Sequence, residues 1–284
     1  MNAHLGDWQA IESARSIEGV LRFARSGERS YLIEQRSPYP FHITRPFRLD
    51  PTLPHVATLY LQSAAGGLYR GDRLNLAMSA ARGAYAHITT QAATLVHDTK
   101  GHPVHQTARL DVADGAFLAF TPDPTVLFSN AALVSQTDVF LAPGAQAILG
   151  EAYAWHDPEQ AGRPFASLSA AVNIRASDGR LLAADRGGLS GAEWAAEASP
   201  LGGYRAVGAL FVLGGGADGF DATTLEQRLV GLDCLAGVST LPNRAGSVVR
   251  LLAADGGALS RGLDAAFEVA FEALLGVAPA RRGK

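Results

Sequence analysis

The sequence predicts a mainly β domain with two helices in its last quarter, and three observations carry that prediction. From Gly19 to about Leu213, short runs of Val, Ile, Leu, Phe and Tyr are broken about every ten residues by Gly, Pro, Asp or Asn. Asp-Gly pairs stand at Asp114-Gly115, Asp178-Gly179, Asp218-Gly219 and Asp255-Gly256, where Gly accepts positive φ and Asp bonds the local backbone. Helical spacing of apolar residues occurs only towards the C-terminus. No low-complexity stretch divides the chain and no fixed-period repeat argues for a solenoid of identical units. Residues 1–284 therefore read as one domain, with 1–17 as a flexible N-terminal tail.

In chain order, the proline-rich Pro38 to Pro54 segment also carries Phe41, Ile43, Phe47 and Leu49, so it reads as an extended edge over the core. The clearest strands are Val56 to Gln62, Tyr85 to Thr90, Phe117 to Thr121 and Val134 to Leu141. Asp114-Gly115 and Asp178-Gly179 are predicted hairpin turns. Thr223 and Glu226 fit a capping box opening a helix from about Leu225 to Leu235, with Leu225, Leu229 and Leu232 on one face. Ser247 to Leu252 reads as a returning strand. The second helix, Arg261 to Leu275, carries the stripe Leu263, Phe267, Ala270, Phe271 and Leu274.

Lys and Arg number 24 against 27 Asp and Glu, a net charge of −3 without long blocks of one sign, so nucleic acid is not an expected partner. A lone Cys234 excludes an internal disulfide and, with Leu232 and Leu235 as neighbours in the predicted helix, reads as packing. The stretch Met1 to Ile17 is interrupted by Asp7, Glu12 and Arg15 and lacks a signal-peptide core, which points to the cytoplasm. The longest apolar run, Val207 to Leu213, falls far short of the roughly 20 residues of a membrane-spanning helix. Mean hydropathy is +0.08 with only 18% charged residues, a pattern expected when another chain covers part of the surface. The C-terminal helices and their adjoining strand are the expected docking face, and the chain alone is expected to be poorly soluble.

Two motifs invite chemical readings. Gly214 to Gly219 matches G-x-G-x-x-G after an apolar strand, the pattern of a nucleotide-dependent enzyme, but the predicted helix starts late and no βαβ alternation surrounds it, which favours a flexible loop. His97, His102 and His105 cluster with Asp98. If Lys100-Gly101 tips a hairpin, His97 and His105 approach across it as ligands for Ni²⁺ or Zn²⁺, a stand-alone metal buffer; the alternative is a solvated turn. No G-x-S-x-G, H-E-x-x-H, C-x-x-C or Walker loop is present, and this absence points to binding or scaffolding rather than to an enzyme. Thr90 and Gln91, in an apolar strand, need hydrogen-bond partners if they face inward. Pro122-Asp123-Pro124 reads as a rigid loop presenting Phe128, or as a turn with local duty only.

Several blocks in order resemble the UreD (UreH) family of urease accessory proteins. They are Tyr39 to Phe47, Gly66-Gly67-Leu68-Tyr69-Arg70-Gly71-Asp72, Ile88 to Thr94, Pro122 to Phe128, Gly237 to Leu241 and Val248 to Leu252, spanning nearly the whole chain. The sequence departs from that family where Leu95-Val96-His97 replaces Lys-Val-Tyr. It departs again between Glu151 and Phe165, where Asp157-Pro158 and Gly162-Arg163 stand in place of a Gly-Arg and then a Gly-Glu ahead of a Phe. The resemblance implies a β-helix-like fold of stacked sheets with a pair of helices. It also implies a maturation chaperone that acts with UreF and the GTPase UreG on the urease apoprotein, offering an internal passage to Ni²⁺ in transit and holding no tight cofactor. A passage needs oxygen or nitrogen groups that bind weakly enough to release the ion. Asp72 is the first candidate, because Gly66, Gly67 and Gly71 permit a bend that aims it inward; its alternative is to cap a turn. Glu151 is the second, with exposure at a strand end as its alternative.

Overall fold

The computed structural model describes residues 15–49, 52–215 and 220–280. In chain order the strands are β1 (Ser16–Ser26), β2 (Arg29–Arg36), β3 (Phe41–Ile43), β4 (Val56–Ser63), β5 (Arg73–Ala80), β6 (Tyr85–Thr90), β7 (Thr94–Val96), β8 (Val104–Val112) and β9 (Phe117–Thr121). Then come β10 (Thr125–Leu127), β11 (Ala132–Leu141), β12 (Gln146–Trp155), β13 (Ser167–Ala176), β14 (Leu181–Ser190), β15 (Ala206–Gly214), β16 (Cys234–Thr240) and β17 (Gly246–Ala253). The helices are α1 (Gly191–Ala195), α2 (Ala222–Leu229) and α3 (Gly256–Leu275).

The chain winds as a coil between two stacked sheets. One sheet has the order β14-β13-β11-β8-β5-β1-β2; the other runs β16-β17-β15-β12-β9-β6-β4-β3, with β10 and β7 continuing from β12. Because each turn of the coil contributes one strand to each sheet, β5, β8, β11 and β13 are parallel neighbours on one side and β4, β6, β9 and β12 on the other. Val56, Tyr85, Phe117 and Gln146 stack in register, about thirty residues apart. The coil is therefore a solenoid of unlike turns, which leaves no repeat of identical units in the sequence. Its repeated feature is the alternation of inward and outward residues, not residue identity.

Asp114-Gly115 is a corner of this coil rather than a hairpin: it carries the chain from β8 in one sheet to β9 in the other, with Gly115 at φ 63. Asp178-Gly179 does close a hairpin, between the antiparallel strands β13 and β14. The Pro38 to Pro54 segment supplies the edge strand β3 and a bridge from Phe47 to Thr58; Asp50 and Pro51 lie outside the described residues. Ser16 and Ile17, assigned to the N-terminal tail from the sequence, belong to β1 and pair with β5, while residues 1–14 lie outside the described residues.

One apolar core, centred on Leu21, Leu59, Met78, Ile88 and Leu118, packs between the sheets beside an interior cavity. A second lies between the outer face of β12, β15 and β17 and the helices, where Phe267, Phe271 and Leu274 are buried as their spacing predicts. Trp155, Phe165 and Trp194 anchor a third at one end. The first C-terminal helix is shorter than the predicted Leu225 to Leu235 and starts earlier, because Asp221 caps it through the amide of Thr223 and Thr223 itself lies inside. Cys234 accordingly stands at the start of β16, not in a helix, and its Sγ donates to the carbonyl of Ala258 at 3.1 Å. Burial pushes the Cys234 thiol up from its usual pKa, consistent with a packing role. The glycine loop is described only to Gly215, and residues 216–219 lie outside the described residues. The strand before it, β15, runs antiparallel to both of its neighbours.

Candidate functional site

A cavity of about 570 Å³ lies between the two sheets, along the axis of the coil. Its floor follows one row of residues across successive turns, because strands in register place side chains of equal pleat side by side. Leu61 pairs with Thr90, and the row continues past Pro122 to Glu151 on β12. The facing sheet supplies Leu76, Ala108 and Thr137 in a second row. Gln106, Ser135 and Tyr153 add further polar groups.

Glu151 is the charged centre of this space. It stands in the middle of a ten-residue strand otherwise made almost entirely of apolar residues, and its remaining accessible surface faces the cavity, not a strand end. Thr137 donates its hydroxyl to Oε1 at 3.1 Å. Burial pushes the carboxyl up to about 7, Thr137 works against that, and the negative charge of Asp185 adds to it. Two residues on, Tyr153 is held well above the usual phenol value, by burial first and by the charge of Glu151 second, with the Ser135 hydroxyl opposing. The site therefore presents the Glu151 carboxyl, its pKa raised towards neutrality, with Asp123 on the bordering loop and the neutral oxygens of Gln106, Ser135, Thr137 and Tyr153 around it. Oxygens of these kinds can serve as ligands to a divalent cation, and among the described residues they form no closed cage of His, Cys, Asp and Glu side chains.

The other sequence candidates lie elsewhere. Asp72 is 2% exposed but does not line the cavity. Its carboxylate accepts from the guanidinium of Arg15, including Nε at 2.9 Å, and from the amide of Tyr69 at 2.9 Å. Burial alone would raise its pKa, yet the Arg15 and Tyr69 hydrogen bonds outweigh it and hold the carboxyl below its ordinary value. The turn-capping alternative describes this residue, with the addition of an ion pair the sequence did not suggest.

The three histidines are not gathered, because β7 and β8 belong to different sheets and form no hairpin. His97 stacks on Tyr69 at 4.7 Å, meets Phe128 edge-on at 5.3 Å and donates from Nε2 to the carbonyl of Gly66 at 3.0 Å. A Cβ at Gly67 would come within 2.8 Å of that imidazole, so the glycine at this position makes room for it. His102 faces Arg70, and His105 alternates with the inward Gln106 on β8. Among the described residues no group of three or more His, Cys, Asp and Glu side chains converges as a metal cluster would.

Thr90 and Gln91 do find partners: Thr90 receives the amide of Asp123 at 2.7 Å, and Gln91 bonds Gln62. Asp123 lines the cavity with its loop, and Phe128 is half-buried against His97 and His156. Sequence reasoning missed Thr137, Ser135, Tyr153, Asp185 and Arg250. The available signal was their position: in Ala132 to Leu141 the polar Ser135 and Thr137 share a side with Leu133 and Val139, an inward face where apolar residues are expected.

Comparison with known proteins gives a consistent result. The family described as "UreD urease accessory protein" matches residues 17–283. "Urease accessory protein UreD 1" of Methylorubrum extorquens (strain PA1) is 49% identical over 271 residues, covering 95% of this chain and 92% of that protein. "Urease accessory protein UreD 3" of Bradyrhizobium sp. (strain ORS 278) is 44% identical, with 97% of both chains covered. A Pseudomonas syringae pv. syringae (strain B728a) protein, "Urease accessory protein UreD 1", is 34% identical over the full length of both.

Proposed function

The chain belongs to the UreD family of urease accessory proteins, and from that premise we propose that it serves urease maturation by passing Ni²⁺ through its interior cavity. The observation that carries this reading is Glu151, a carboxyl enclosed by the protein and facing a cavity bordered by Thr137, Ser135, Tyr153 and Gln106. A cation entering there meets the exchangeable carboxyl of Glu151, that of Asp123 on the bordering loop and several neutral oxygens, enough to draw it in and too few to retain it. When the carboxyl is protonated, binding the cation releases that proton.

The chain acts as a scaffold and not as an enzyme, in line with relatives named as accessory proteins. Its partners are the urease apoprotein, UreF and the GTPase UreG, which supplies the nucleotide hydrolysis. Val230 and Leu235, 81% and 56% exposed beside α2 and at the start of β16, give the expected C-terminal docking face its apolar contacts. The setting is the cytoplasm, and no helix among the described residues is long and apolar enough to cross a membrane.

The test is to express urease with its accessory proteins and either this chain, no such chain, or the Glu151→Gln variant. Omission should leave urease protein present and largely free of nickel. The variant should still co-purify with urease while urease nickel content falls by about tenfold, the scale on which metal sites respond to loss of a partner group. Normal nickel loading by Glu151→Gln would sink the passage reading.

A further inference from the structure

The two rows that border the cavity continue beyond it. On one sheet Glu151 pairs with Ala209 on β15, which pairs with Arg250 on β17. On the other, Thr137 pairs with Val172 on β13, which pairs with Asp185 on β14. The rows face one another: Thr137 bonds Glu151 across the gap, and two strands farther on Arg250 forms a bidentate pair with Asp185 at 2.9 and 3.0 Å. Each such step of two strands covers about 10 Å. The register positions between the two polar bridges are held by Ala209 and Val172, and the cavity ends on the Glu151 side of them.

The outer bridge sits at the protein boundary. The side chain of Asp185 is 27% exposed and that of Arg250 is 56% exposed. Gly237, beside Arg250 on β16, leaves open space where a side chain would stand, so the guanidinium has room to swing outward. Ion pairs this exposed are weakly held and exchange readily. Asp185 is also close enough for its charge to act on Glu151.

We infer that the Asp185–Arg250 pair is the closed outer gate of this cavity, opened when a divalent cation takes the place of the guanidinium on Asp185. The inference rests on the passage reading and adds to it where the passage meets solvent. Glu151 and Asp185 then form two successive stations of like charge, separated by a short apolar stretch. The guanidinium neutralises the outer station when no cation is there, so that the edge between β14 and β17 stays shut.

The experiment measures nickel bound per urease against time at limiting Ni²⁺, with the full chain and its partners co-expressed. Asp185→Asn should slow loading about tenfold, and Asp185→Glu, which keeps the charge, should restore most of it. Arg250→Gln should instead speed loading about twofold, since the competitor for Asp185 is gone. These opposite signs separate a gate from a structural ion pair, for which either substitution does the same damage. Equal loss in Asp185→Asn and Arg250→Gln, or unchanged rates in both, overturns the gate. Glu151→Gln run alongside distinguishes the failures: if it loads normally the passage itself is wrong, whereas if it fails and Asp185→Asn does not, only the gate is wrong.

Discussion

At the scale of single residues, two carboxyls, the half-buried Glu151 and the buried Asp72, respond to pH in opposite directions. The Glu151 acid is raised to about 7 from its ordinary 4.5, so the folded protein holds this proton more tightly than the unfolded chain does. The stability contributed by that proton is complete below the unfolded value and is lost as pH rises through about 7. Glu151→Gln should therefore melt higher than the parent protein at pH 8, by up to about 3 kcal/mol, and match it at pH 4. A melting series across that range checks it. Asp72 is the reverse case. Its pKa is lowered in the fold, so its contribution is present above 3.8 and lost as pH falls through the lowered folded value. Asp72→Asn should cost about 2 kcal/mol at neutral pH and make the acid limb of the stability profile shallower, read by chemical denaturation. The sequence made both residues visible as lone acids among glycines or apolar residues. It could not separate them, because what distinguishes them is an ion pair to Arg15 in one case and a hydroxyl on a facing strand in the other.

At the scale of elements, the legible parts were those with local causes. The stripe on α3, the runs that became β4, β6, β9 and β11, and the Asp178-Gly179 hairpin all follow from periodicity or turn chemistry within a dozen or so residues. What stayed hidden needed contacts between distant segments: that Asp114-Gly115 turns a coil, that β7 and β8 part company at Lys100-Gly101, and that Cys234 begins a strand. The last of these reflects tertiary packing. Residues 234–240 are held extended by pairing with β17, and Cys234 meets α3 closely enough that a Cβ on Gly262 would lie 3.1 Å from its Sγ and 2.8 Å from Leu251 Cδ2. Gly262 thus sets how near the helix approaches the sheet. Alanine there would gain helix propensity and lose packing, whereas Gly262→Leu should destabilise the fold by about 2 kcal/mol through overpacking. Urea denaturation measures that loss, and unchanged stability would mean the helix can shift away freely.

For the whole molecule, the exposed apolar residues are the feature that bears on solubility and docking. A mean hydropathy of +0.08 anticipated apolar surface, and the exposed Ile33, Val230 and Leu235 supply some of it. Val230→Lys with Leu235→Lys should leave the melting temperature nearly unchanged, because neither side chain is buried, while raising the soluble yield of the isolated chain. Weaker co-purification with the partner proteins should accompany it if this face docks. Light scattering on the purified variants and pull-down from co-expressing cells read the two effects separately.

The rows that line the interior draw on residues from Leu61 on β4 to Arg250 on β17, so they are completed only near the end of the chain. A ribosome releases the early turns long before β17 and α3 exist to cover β15. A nascent or truncated product would therefore carry an unsealed trough, and metal could reach Glu151 directly from solvent. An interior walled on both sides is a property this protein acquires only once synthesis has finished.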